Sequence, residues 1–322
     1  MDFNSLISHP EVLLLVLAPI FFVCILLEWY VGDRQNRLPL NARYHLPEVL
    51  CNFGLAAMHQ LTDLLTGLFI AKLYLMFFGW RLFDIEMNGA TFVALMVAQD
   101  FCYYWFHRAS HRIRWMWAAH VAHHSSENMN FSTAFRQSLM YPLAGMWIFW
   151  LPLVVVGFDP NWVVFVVLLN LGLQFFVHTQ AIKSLGILEW LINTPSHHRV
   201  HHGRNPQYID KNYAGILIIW DRMFGTFEKE VETVEYGITK PINSFNPLVV
   251  TFTEWRDMFK DTFAANLSPI QRFKILFAPP ATAESQITRL DVYHESGNES
   301  QSTNSDEPQE PLVAVKSATD AK

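Results

Sequence analysis

Charge is scarce in this 322-residue chain. Asp, Glu, Lys and Arg make up 16% of it, against about 25% in an ordinary soluble domain. Cysteine is scarcer still: Cys24, Cys51 and Cys102 all sit in apolar stretches, which excludes a disulfide framework and a thiolate metal site. Bases are outnumbered by acids, 23 to 29, so the basic footprint of a nucleic-acid binder is missing and no nucleic-acid partner is expected. No basic stretch precedes the first apolar run, so no cleavable leader is read. What the chain has in excess is apolar residues, at 51%, and histidine, at 14 residues. The first rules out disorder throughout. The second needs a reason.

The acidity is local. Residues 281–322 hold eight acids and three bases in a Ser-, Thr-, Gln- and Asn-rich setting, and are expected to be a disordered acidic tail. The remainder is nearly neutral and carries long apolar runs. Residues 12–27 are uncharged and end at Trp29 and Tyr30, an interfacial aromatic pair. Further runs occupy 49–80 (crossing near 61–80), 89–106, 139–156 and 162–178, the last two parted by the turn sequence Gly157-Phe158-Asp159-Pro160-Asn161. Five crossings of about 20 residues each are predicted. Bases alternate between the intervening loops: none in 1–10 or 157–161 and only Arg81 in 81–88, but three in 30–48, four in 107–136 and eleven in 179–280. By the positive-inside rule the N-terminus lies outside and every dense histidine cluster is cytoplasmic. The expected fold is all-α: a polytopic membrane helical bundle with a cytoplasmic, histidine-rich di-metal helical cap. Its parts are N-terminal spans at 1–88, a metal-bearing membrane domain at 89–280 and the tail at 281–322.

The histidines fall into three groups: His107-x-x-x-His111, His120-x-x-His123-His124, and His198-x-x-His201-His202 with His197 directly before it. Residues i, i+3 and i+4 share a helix face, so each group is expected to aim its imidazoles in one direction. Chance would supply roughly 0.03 copies of H-x-x-H-H at this histidine frequency, and there are two. His178 closes the last apolar run at the same level. Imidazole suits iron, zinc, copper or nickel. Eight to ten imidazoles exceed the four ligands of a structural zinc; shared between two metals they leave positions for oxygen. His9, His45 and His294 lie in loops or the tail and are read as bland. His59 and Asp63, one turn apart in an apolar run, are read equally as a functional pair or a packing pair.

These motifs resemble the fatty acid hydroxylase / sterol desaturase superfamily over about residues 90–230. His120-Val-Ala-His-His-Ser-Ser-Glu-Asn-Met-Asn130, Thr133-Ala-Phe-Arg-Gln-Ser138, Pro195-Ser-His-His-Arg-Val-His-His-Gly-Arg204, Tyr208-Ile-Asp-Lys-Asn-Tyr213 and Trp220-Asp-Arg-Met-Phe-Gly-Thr-Phe227 are most similar to its alkylglycerol monooxygenase-like branch. The resemblance implies a membrane non-haem di-iron oxidoreductase that uses O₂ and two electrons to hydroxylate a sterol, fatty acyl or alkylglycerol-type lipid. It implies His107, His111, His120, His123, His124, His198, His201 and His202 as iron ligands, with His178 as an additional one. Where some hydroxylases of the family have His-x-x-x-His, this chain has Gln174-x-x-x-His178, so Gln174, His197 or a water is left to complete the set.

Metal-bound histidines usually hand their second N–H to a carboxylate or carbonyl, which makes Asp100, Glu127, Asp210 and Asp221 candidates for that role. Arg136 and Gln137 are expected to hold a lipid headgroup or a loop carbonyl. The sequence has no G-x-G-x-x-G, no cysteine set for an iron–sulfur cluster and no haem signature, so a separate electron-transfer partner is expected: a cytochrome, a ferredoxin system or a reduced pterin. A desaturase is the alternative on the same site. A metal transporter predicts ligands at the bilayer midplane, and a non-catalytic scaffold predicts one closed site. The C-terminal Thr319-Asp-Ala-Lys322 is not an endoplasmic reticulum retrieval signal, so a bacterial inner membrane is expected ahead of the endoplasmic reticulum.

Overall fold

The computed structural model describes residues 3–264 and 267–280, and among these the regular elements are helices, with two isolated bridge pairs and no strand. The expected tail at 281–322 lies outside the described residues. Helix α1 (Leu13–Glu28) carries no charge before its last residue. Helix α2 (Leu46–Phe78) opens with Pro47 in its first turn, where a missing N–H costs nothing. Its 33 residues span about 50 Å, more than one upright crossing requires. Helix α3 (Gly89–Arg112) starts on a capping box: the Asn88 side chain accepts from the N–H groups of Ala90 and Thr91, and the Thr91 hydroxyl accepts from the Asn88 N–H. One extended residue, Ile113, separates it from α4 (Arg114–His124). After α5 (Pro160–Gln174), capped by Asp159, come α6 (Pro195–His201), α7 (Ile219–Phe224), α8 (Pro247–Thr262) and α9 (Pro269–Phe277).

The chain passes through the bundle five times between two ends. At one end the N–H groups of Leu82 and Phe83 donate to the carbonyls of Val155 and Val156. Gly157 is required there: its φ is +132°, and a Cβ would lie 2.1 Å from the Phe83 carbonyl oxygen. At the other end the Glu28 carboxylate accepts from the hydroxyls of Tyr44 and Thr179 and from the Phe131 N–H, joining the end of α1 to the segment after α5. All the clustered histidines lie at this second end. The core between the ends is built by α3, α5 and 141–156, with Leu95, Phe106, Trp150, Val154, Val163 and Val166 buried together.

Three stretches are long and apolar enough to cross a membrane: Pro10–Gly32, Leu40–Phe78 and Pro160–Val177. Leu64 and Leu68 on α2 are 74% and 77% exposed, a pattern that water would penalise and lipid would not. The sequence predicts two further apolar crossings, and the structure treats them differently. Residues 89–106 lie in α3, which is long enough but buries Gln99 and Asp100 in the bundle interior. Residues 139–156 are broken into a short helix at Tyr141–Ala144, a tight turn at Met146–Trp150 and a second short helix at Leu151–Val156, parted by Gly145 at φ +87°. Both segments pack against other helices, and interior helices need not be uniformly apolar.

Candidate metal centre

Nine histidines meet in two groups. His107, His111, His120, His124 and His201 each offer one ring nitrogen, all within 4.8 Å of one another; His123, His178, His198 and His202 do the same. All nine are buried. The partition is crossed. In the first H-x-x-H-H motif the i and i+4 residues, His120 and His124, enter the five-membered group while His123 enters the other. In the second motif His198 and His202 enter the four-membered group while His201 crosses to the first. Helix geometry explains this. At about 100° per residue, the middle histidine stands about 60° to one side of the first, away from the last. The expected single aim of each cluster is thereby corrected. The groups abut, with His124 and His202 stacked at 4.4 Å between ring centroids.

The outer nitrogens are tied to the scaffold. The Nδ1–H groups of His107, His123, His178 and His201 donate to the carbonyls of Tyr213 (2.8 Å), Arg136 (3.2 Å), Gln174 (2.8 Å) and Lys211 (3.0 Å). His120 Nδ1 is bonded to the Tyr141 hydroxyl at 2.7 Å. A carbonyl only accepts, so each Nδ1 it binds carries the proton and the Nε2 of that ring presents a lone pair. His123 Nε2 and His178 Nε2, both so fixed, face each other at 3.2 Å with no proton to share. Nε2 of His111 and of His201 are buried without a hydrogen-bond partner. Burial and mutual repulsion hold His107, His120, His123, His124, His198, His201 and His202 well below the ordinary histidine range, so protons do not relieve the lone-pair contacts at neutral pH. A cation would. The donors are neutral imidazoles, which suit first-row transition metals and not the oxygen-seeking Ca²⁺ or Mg²⁺. The residues present therefore fit two metal ions.

The other expected residues are scattered more widely. His197 joins neither group: its Nδ1 lies 3.3 Å from the Thr194 hydroxyl, its ring packs on Phe227, and burial lowers it to about 4. The Gln174 side chain accepts from the Tyr103 hydroxyl and donates to Asn170, so only its backbone carbonyl serves a histidine. Asp210 Oδ1 stands 3.7 Å from His111 Nδ1, and Arg112 donates to its other oxygen. Burial pushes the Asp210 carboxyl up, but His111 and Arg112 outweigh it and hold it at about 2.

Asp221 and Asp100 touch no clustered histidine; they hold the loop that does. Asp221 accepts from the N–H groups of Tyr213 and Ala214 and from the Thr226 hydroxyl, and burial raises it to about 6 despite these bonds. Asp100 accepts from the N–H groups of Ile216 and Leu217 and from Trp220 Nε1. Glu127 is exposed and belongs to neither group. Arg136 donates to the Ala122 carbonyl in the last turn of α4 and to the Ser125 hydroxyl just after it. Sequence reasoning missed Tyr141 and the carbonyls of Tyr213 and Lys211. The Tyr208–Tyr213 motif carried a signal for the carbonyls, but a carbonyl has no side chain to announce it.

Two abutting, imidazole-only groups able to hold metal, in a chain with three helices long and apolar enough to cross a membrane, define a narrow class. Residues 92–226 match the fatty acid hydroxylase family model. The chain is 48% identical to the alkylglycerol monooxygenase of Homo sapiens over 204 residues, which is 63% of this chain and 45% of that protein. It is 39% identical to the Xenopus tropicalis alkylglycerol monooxygenase over 262 residues, 81% of this chain and 57% of that protein. It is 25% identical to the ornithine lipid hydroxylase OlsE of Rhizobium tropici over 146 residues, 45% of this chain and 44% of that protein. The chain thus spans about half the length of the curated relatives it matches. No solved structure matches it.

Proposed function

We propose that this chain is a membrane lipid monooxygenase holding two non-haem irons. His107, His111, His120, His124 and His201 would hold one, and His123, His178, His198 and His202 the other. The observation that carries the reading is the crossed pair of all-imidazole groups inside the segment that matches the fatty acid hydroxylase family model. When bound, the irons supply the activation of O₂, with two external electrons, that attack on an unactivated C–H bond requires. The chain's own residues do the rest. Four backbone carbonyls keep protons on Nδ1 and lone pairs on Nε2. Tyr103, Phe106, Tyr141 and Trp150 wall the bundle side of His107 and His120 and exclude water. Asp100 and Asp221 fix the loop whose Tyr213 carbonyl orients His107.

The substrate is a lipid whose tail rises from the bilayer toward the histidine end. The relatives at 39% identity and above are named for alkylglycerols, which favours an alkylglycerol-type lipid over a sterol or a fatty acyl chain. O₂ is the co-substrate. The electrons come from a separate donor, a cytochrome, a ferredoxin system or a reduced pterin. The basic loops gather at the histidine end, which supports placing that end in the cytoplasm with the N-terminus across the membrane.

Metal analysis after anaerobic purification, followed by incubation with an alkylglycerol, O₂ and each class of donor, tests the reading. Two irons per chain and loss of the ether lipid are expected. One zinc and no iron, or iron-loaded protein that leaves the alkylglycerol untouched with all three donors, overturns it.

A further inference from the structure

Helices α8 and α9 wear their apolar residues on the wrong side for a water-facing surface. Both pack against α4, using Val250, Trp255 and Met258 of α8 and Ile275 of α9. The exposed faces beside these are also apolar. On α8 they show Leu248, Phe252 and Phe259; on α9, Ile270 (62% exposed), Phe273 (58%) and Phe277. The spacings 252/259 and 270/273/277 keep each set on one helical stripe. Lys274, four residues after Ile270, lies on the α9 stripe, and Lys260 flanks the α8 stripe about a quarter-turn away; both are exposed.

The acids are drawn away from this face. Glu254 and Asp261 bond Arg114 of α4 at 2.9 and 2.7 Å, and Asp257 accepts from its neighbour Arg256 at 2.8 Å. Helix α9 has no acid at all. An exposed aromatic stripe flanked by basic residues, with Glu254 and Asp261 turned to the protein and Asp257 paired with Arg256, is the pattern of a helix lying in the headgroup layer of a bilayer. The location agrees. Pro247, at the start of α8, packs on Gly54 of α2, where a Cβ would come within 2.9 Å of its ring. The lipid-type face of α2 begins two turns further on, at Leu61 and Leu64.

We infer that α8 and α9 lie on the membrane surface, their aromatic stripes at the acyl–headgroup boundary and Lys260 and Lys274 against anionic headgroups. The Arg114 ion pairs would then join this surface anchor to the helix that carries His120, His123 and His124. The inference rests on the membrane reading of the apolar helices, and its test separates the two.

The full chain is reconstituted in phosphatidylcholine–phosphatidylglycerol vesicles with the photocrosslinker p-benzoylphenylalanine in place of Phe252 or Phe273. Phe69 on the exposed face of α2 is the membrane control, and exposed Lys229 is the water control. Lipid adducts at 252 and 273, several-fold above those at 229 and comparable with 69, are expected in the intact mass. The pair K260E and K274E should lower them several-fold in the mixed vesicles and leave them unchanged in pure phosphatidylcholine. Adducts at 69 but none at 252 and 273, or adducts there to a second protein chain, overturn the surface anchor. No lipid adduct at 69 overturns the membrane reading itself.

Discussion

Tyr141 reaches a histidine that sequence alone gives no reason to pair with it. Its hydroxyl sits on His120 Nδ1, on the side away from the metal-facing nitrogen. Partners of this kind orient the ring and tune its basicity, and their loss costs about 10–100-fold in metal affinity. Y141F is expected to fall in that range while leaving the packing with Phe106 and His59 in place, and a competition titration against a chelator measures it. The buried imidazoles make a second prediction. In the metal-free chain they take up protons only well below pH 6.5, whereas solvated histidines protonate near 6.5. Protons compete with metal for the same lone pairs. The chain is therefore expected to keep its metal on dialysis at pH 6. Half-release at or above pH 6.5 would show that the nitrogens are open to water.

At the scale of elements, the loop from Asp210 to Leu217 does more than its sequence discloses. It sends the carbonyls of Lys211 and Tyr213 and the carboxylate of Asp210 to three different histidines. Asp210 and Asn212 hold positive φ angles of 61° and 55°, which Asp and Asn accept better than other non-glycine residues. Gly215 lets the loop come down on α3 and α5: a Cβ there would stand 2.8 Å from oxygens of both Asn170 and Asp100. G215A is expected to cost about 1–3 kcal/mol and to lower metal occupancy with it. Thermal unfolding with and without metal reads both. An unchanged melting temperature would mean that the loop moves aside freely.

Some of this was legible in the residues and some was not. The histidine motifs are visible because imidazoles are rare and their spacing is helical. The three long apolar helices are visible because their apolar runs are nearly uninterrupted. The crossing of His123 and His201 follows from helix angle, but it appears only once both helices are placed side by side. His197 looks like its neighbours in sequence, yet it faces Thr194 and Phe227 because the first turn of α6 points it outward from the pair. Carbonyl partners leave no trace in composition. The lipid-type stripes of α8 and α9 were hidden for another reason: they alternate with charged residues, so no uninterrupted apolar run marks them.

For the molecule as a whole, the joining of His107–His124 with His178–His202 restricts the path of the chain. Both stretches lie at one end of the bundle, so α3 has to bring back the chain that α2 carries away, and α5 the chain that segment 141–156 carries away. Cysteines introduced at exposed Asp84 and Lys229 are expected to react with an impermeant thiol reagent from opposite faces of sealed vesicles. Labelling of both from the same face would contradict the five-pass path. Every clustered histidine and every partner described for them lies before residue 281, so deletion of 281–322 is expected to leave metal content unchanged on elemental analysis.

His123 and His124 are covalent neighbours that belong to different metal groups, and so are His201 and His202. The distance between the two centres is therefore fixed by a single peptide step on each of two helices. Neither centre can widen or tighten by itself, since any rotation of α4 or α6 that improves one set of donors moves the other. Such a lattice resists half measures. Filling the first centre orders the helices that the second one needs, so occupancy should run from none to two with few molecules caught between.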